Sequence, residues 1–150
     1  MQCTNIGLPL RRLAMMWARL AGGYSGESAA KDAVLGDIFS AMAAYPEMVS
    51  GTGRLDLAIA RLSDGDCIAK AGVDGIYTVG VKSRGLGIAI KVADGALSVL
   101  YATAVAVLKQ LKVVEQLNEL SLSRWNDPVI RNLRGIEVGQ LKTRVSLQRS

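Results

Sequence analysis

The sharpest chemical signal in this sequence is Lys70-Ala71-Gly72, set within Lys70-Ala71-Gly72-Val73-Asp74-Gly75. A lysine on a strand can hold a serine or substrate oxygen by charge and hydrogen bond. A glycine two positions on leaves room for that substrate beside the strand. In isolation the pattern reads as a solvated lysine near a turn; two glycine-spaced strand segments downstream give it weight. Ser28-Ala29-Ala30-Lys31 is a literal Ser-x-x-Lys, a nucleophile pattern in which lysine serves a serine. Gly26-Glu27-Ser28 nevertheless reads as an ordinary helix cap with a solvated lysine after it, so this motif is taken as a decoy. Histidine is absent throughout, which removes Ser-His-Asp triads, Cys-His proteases and histidine-based metal sites. Any hydrolase here must use lysine or a carboxylate as its base.

Weaker signals surround these. Cys3 and Cys67 are the two cysteines, too few for a disulfide framework or a complete zinc site. Cys67, beside Ile68, reads as a small buried hydrophobe. Gly51-Thr52-Gly53-Arg54 could meet an anion at a helix start but lacks the Lys-Ser/Thr of a phosphate loop. A turn that positions Arg54 and Asp56 is the simpler reading. Gly85-Leu86-Gly87 lacks the third glycine of a dinucleotide fingerprint and opens a strand rather than a helix.

The elements that must position these residues follow from periodicity. Leu10, Leu13, Ala14, Trp17 and Leu20-Ala21 recur at helical spacing, with Pro9 in the first turn and Gly22-Gly23 as the stop. Ser25 or Ser28 caps a second helix running to Tyr45, where Pro46 forbids continuation. Thr52 caps a third, with Leu55, Ala58-Ile59 and Leu62 as its apolar face. Cys67–Lys70, Ile76–Val81 and Leu86–Val92 then read as strands. Their short connections predict an antiparallel meander. Asp94 caps a long helix over Leu97–Leu111 that is apolar on nearly all sides and so lies against the sheet. A short helix over Val113–Leu120, a break at Asn126-Asp127-Pro128 and a closing edge strand over Glu137–Val145 complete an α+β fold with an antiparallel meander sheet and packed helices.

The chain has 150 residues, half of them hydrophobic, enough for one domain with a real core. No run of 18 apolar residues is present, so no membrane span is expected. Arg11-Arg12 precede an apolar stretch that Arg19 interrupts, too short for a secretory leader, and a cytoplasmic location is expected. Most of the formal charge of +5 comes from Ser123–Ser150, with six basic side chains against two acidic ones; Arg124, Arg131, Arg134, Lys142, Arg144 and Arg149 are scattered there with Trp125 as the one aromatic among them. That is a solvated surface rather than a nucleic-acid site.

Three blocks, Pro46–Asp56, Lys70–Gly75 and Gly85–Gly95, in this order and spacing resemble the C-terminal half of the L-asparaginase II family, which has a serine β-lactamase-like fold. The resemblance runs from Cys3 to the Arg131-Asn132-Leu133-Arg134-Gly135-Ile136-Glu137-Val138-Gly139 segment. It implies hydrolysis of L-asparagine to L-aspartate and ammonia by paired serine–lysine units, with homodimers common and zinc near the active centre. It implies that Lys70 is the catalytic lysine of the strand motif. It also implies that Cys3, just before Leu8-Pro9-Leu10, is one zinc ligand, the others being a cysteine and a lysine in an earlier Cys-x-x-Lys segment. The family has Asp-Gly before that cysteine; here Met1-Gln2 stands there.

Both family serines, the nucleophile-side lysine and the remaining zinc ligands fall in a half that this sequence does not match. The 150 residues are therefore expected to form one incomplete domain, inactive by itself and unable to hold zinc tightly. Homo-oligomers or a missing N-terminal half are the expected partners. The alternative is a non-catalytic remnant or interaction module that pairs with another polypeptide. A Ser-x-x-Lys and a Cys-x-x-Lys in the upstream coding sequence would discriminate in favour of the enzyme.

Overall fold

A computed structural model describes residues 7–22, 29–113 and 119–148. Helix α1 spans Leu10–Leu20, α2 Ala29–Ala44, α3 Pro46–Ser50 and α4 Leu55–Leu62. Strands β1 (Cys67–Ala71), β2 (Ile76–Val81) and β3 (Leu86–Lys91) follow, then helix α5 (Leu97–Gln110), a short α6 (Glu119–Leu122), and strands β4 (Val129–Arg131) and β5 (Glu137–Gln140). The main sheet is antiparallel in the order β1-β2-β3, so the expected α+β class and meander are both present.

Alternation along the strands sorts the two faces of this sheet. Cys67, Ala69, Tyr77, Val79 and Val81 join Leu55 and Ile59 of α4 and Leu100, Ala104, Val105 and Leu108 of α5 in the principal core. The apolar helix α5 thus lies on the sheet, as its composition predicts. On the opposite face Ile68 packs with Phe39 of α2 and with Ala21. There α1 crosses β2 and β3 at very short range. Gly80 and Gly87 are register partners, and a Cβ on Gly87 would sit 2.0 Å from the Ala14 carbonyl oxygen and 2.2 Å from the Ala18 nitrogen. Only a bare backbone fits beneath this helix, so the glycine in β3 is a packing requirement.

Several expected details are corrected. Pro46 ends α2 but also opens α3, because the first position of a helix needs no N–H. Thr52 does not cap α4. Gly51 and Gly53 turn the chain at φ 76° and 80°, which leaves Arg54, extended at φ −92° and ψ 152°, as the N-cap residue without a side-chain bond. Asp94 serves the turn before α5, where its Oδ1 accepts from the Ala96 N–H at 3.0 Å, while the N-cap position belongs to Ala96.

The C-terminal region departs most. Val113 lies outside any helix; of the helix expected over Val113–Leu120, the described part is Glu119 and Leu120, which open α6. The expected strand over Glu137–Val145 is shortened to β5. It pairs in its own sheet with β4, which periodicity had not marked. Pro128 and Asp127 anchor the chain after it through Leu141 and Thr143. Both strands of this hairpin are exposed along their length. Among the described residues, no helix is long and apolar enough to cross a membrane.

A candidate active-site groove at the end of the sheet

Lys70 is the penultimate residue of β1, paired with Thr78 of β2. The Thr78 hydroxyl donates to the Lys70 carbonyl at 3.1 Å, which fixes the strand backbone from its neighbour. The Lys70 side chain is turned back so that Nζ donates to the Ala71 carbonyl at 2.9 Å. Beyond it opens a groove of about 500 Å³ lined by Lys70, Ser50, Arg54, Gly72, Asp74 and Gly95, among others. Gly72 is exposed. Its bareness has a local reason, since a Cβ there would press on the Ile76 side chain at 3.3 Å.

The register explains how the end of β1 is held. Gly72 N–H bonds the Ile76 carbonyl at 2.8 Å, so Ala71–Tyr77 is the pair without mutual hydrogen bonds and both Ala71 backbone groups point away from β2. Such groups on a free strand edge need other partners. The Ala71 N–H finds Asp56 Oδ2 at 2.9 Å, and the Ala71 carbonyl finds the Lys70 ammonium. Asp56, in the first turn of α4, is 1% exposed.

A polar and aromatic cluster stands behind that carboxylate. Among the described residues Asp56 Oδ1, the Tyr77 and Tyr101 hydroxyls and Ser50 Oγ are buried without a well-formed hydrogen bond, although the Tyr77 hydroxyl is near enough to the Asp56 carboxylate, and that of Tyr101 to Arg54, to interact with it. Burial first, and then the nearby Asp56 charge, push the Tyr77 phenol well above its ordinary range. The same two causes raise Tyr101, against the opposing pull of Arg54 and Arg124. Tyr101 meets Tyr77 edge-on at 5.8 Å and Trp125 edge-on at 6.3 Å. Arg124 stacks over Trp125 at 3.8 Å and donates to the Gly53 carbonyl at 2.6 Å. Two cations, Lys70 and Arg54, line the groove against one exposed carboxylate, Asp74, and the buried carboxylate behind it is already committed to a backbone N–H. The arrangement favours an oxygen-rich or anionic ligand.

Of the sequence-derived candidates, Lys70 lies in this groove. Lys31 is on α2 among Arg19, Val34 and Leu35, away from the groove lining. Cys3 and Ser28 fall outside the described residues. Cys67 is buried, and burial followed by the Asp66 charge pushes its thiol up to about 11, so it is protonated near neutrality. Among the described residues no three histidine, cysteine, aspartate or glutamate side chains converge to hold a metal, and these residues do not by themselves fit a zinc centre. The sequence marked Asp56, with Arg54, only as a residue placed by the glycine turn; its burial beside Tyr77 and Tyr101, and the position of Ser50 in the groove wall, were not legible there. Ser50 Oγ lacks the hydrogen-bonded base that would activate it.

The family model described as L-asparaginase II matches residues 2–143. Comparison with curated proteins gives no match.

Proposed function

The chain belongs to the L-asparaginase II family, and from that premise we propose that it forms the sheet side of an asparaginase-like amidohydrolase. The substrate is L-asparagine, hydrolysed to L-aspartate and ammonia. Lys70 is the group of this chain that acts, its ammonium stabilising the oxygen on which charge develops. The observation that carries the reading is the placement of Lys70: the lysine of the family-like motif lines an open groove together with Arg54, and among the described residues no carboxylate forms an ion pair with it.

The serine nucleophile and its partner lysine are proposed to come from a complementary N-terminal half, joined to form a serine β-lactamase-like domain. Exposed apolar side chains support such a partner: Leu10, Met15 and Met16 on α1 and Val34 and Ile38 on α2 are a surface that association would cover. A homo-oligomer would use the same surface. Zinc belongs to the assembled enzyme in this reading, with Cys3 as one ligand, and one thiolate leaves the isolated chain a poor zinc binder.

The test is reconstitution. The purified chain should not turn over asparagine, and addition of a matching N-terminal half from a family member should restore ammonia release. Turnover by the chain alone that is lost in Ser28→Ala would overturn the assignment and make Ser28 the nucleophile. A second reading, an interaction module without catalysis, rests on the β4–β5 hairpin, whose Ile130, Ile136 and Val138 are exposed. Binding of the N-terminal half without any ammonia release would favour it.

A further inference from the structure

We propose that Asp56 is the positioning residue for Lys70, acting through Ala71. The inference rests on the reading of Lys70 as the acting cation of the groove. Both backbone groups of Ala71 point off the free edge of β1, as the register requires. Asp56 Oδ2 takes the N–H at 2.9 Å and Lys70 Nζ takes the carbonyl at 2.9 Å. One residue is thus gripped on both sides, by a carboxylate from α4 and by the ammonium that faces the groove. A hydrogen bond to a charged acceptor is stronger than one between neutral groups, and at 1% exposure water does not compete for it.

Asp56 takes the place of the missing next strand, and it does so at the single residue that holds the Lys70 head. Its second oxygen makes no well-formed hydrogen bond among the described residues, and Tyr77 and Tyr101, both kept protonated, stand close enough to feel its charge. The carboxylate is therefore retained inside the fold at a cost that a purely apolar core would avoid. Lys91 supplies the internal control. It makes the same kind of bond to the next carbonyl, Val92, at 2.5 Å, but the Val92 N–H is bonded to the Gly75 carbonyl at 2.8 Å just beyond the β2–β3 pairing, with no carboxylate in that role.

Competitive acetylation of the full chain with limiting acetic anhydride, read by mass spectrometry, measures how each ammonium is held. Asp56→Ala should raise the Lys70 rate by about threefold to tenfold, the scale of one lost hydrogen bond, while Lys91 stays unchanged. Asp56→Asn should react like the parent protein, because its amide oxygen can still accept from Ala71. If Asp56→Ala loses its fold, shown by both lysines reacting together at the free rate, Asp56→Leu keeps the buried volume without the acceptor and decides the matter. An unchanged Lys70 rate in a folded Ala or Leu variant overturns the inference. In the reconstituted enzyme Asp56→Ala should lower kcat about tenfold through misplacement of Lys70, with KM little changed, and Asp56→Asn should recover most of it; an equal loss in both variants would overturn the positioning role. Failure of the functional reading looks different: Lys70→Ala would leave turnover intact whatever the acetylation rates show.

Discussion

The two outer strands of the main sheet, β1 and β3, carry Lys70 and Lys91 at or next to their ends, and each ammonium folds onto the carbonyl of the next residue. Their surroundings differ. Lys91 has Asp74 at 4.0 Å and its strand is pressed under α1 at Gly87. Lys70 has a groove in front and a strand edge held from behind by Asp56. The strand fixed by backbone packing carries a lysine with a long, exposed ion pair to Asp74, whereas the strand fixed by a buried carboxylate carries a lysine that has no ion pair among the described residues and lines the groove. The same local hydrogen bond serves a turn in one place and a candidate site in the other. Lysine type and strand position alone do not separate the two; counter-charge and the support of the backbone do.

The largest expected effect breaks the packed side. Gly87→Ala places a methyl on the backbone of α1, at distances no side-chain rotation can relieve, and should destabilise the chain by about 3 kcal/mol, measured by urea unfolding. Gly72→Ala meets only the Ile76 side chain and should cost clearly less. Equal losses in the two variants would remove the distinction between a strand held by helix backbone and one held at its edge.

A smaller effect probes the cluster behind β1. Tyr77 and Tyr101 have folded pKa values raised above the ordinary 10.0. The unfolded chain releases these protons first, so it binds fewer protons than the folded chain once pH passes about 10. The stability they contribute is complete below that pH and is lost as pH rises toward the folded values. Urea midpoints should therefore fall above about pH 10, and Tyr77→Phe should flatten the decline. A slope unaltered by Tyr77→Phe would show that burial and the Asp56 charge do not hold its phenol above the ordinary range.

Much of this arrangement was legible in the sequence. Glycine-bounded runs of β-branched residues marked the meander, an apolar run marked α5, and Lys70-Ala71-Gly72 marked the groove wall. Each depends on local pattern, which short-range periodicity records. What escaped depends on contacts between distant segments. Asp56 in a first helical turn looks like a charge placed for the helix dipole, and only its meeting with Ala71, fifteen positions on, shows it to be buried. The caps assigned to Thr52 and Asp94 failed because glycine turns moved the helix starts. Strand β4, three residues long, is too short for alternation to register, so its pairing with β5 was not anticipated.

The comparison between the two lysines is tested most directly by asparagine turnover in the chain reconstituted with an N-terminal family half. Lys70→Ala should lower kcat/KM by about a hundredfold, as expected for loss of a group that stabilises developing charge, while Lys91→Ala stays close to the parent. Equal effects of the two substitutions, or a Lys70→Ala enzyme as active as its parent, would contradict the account.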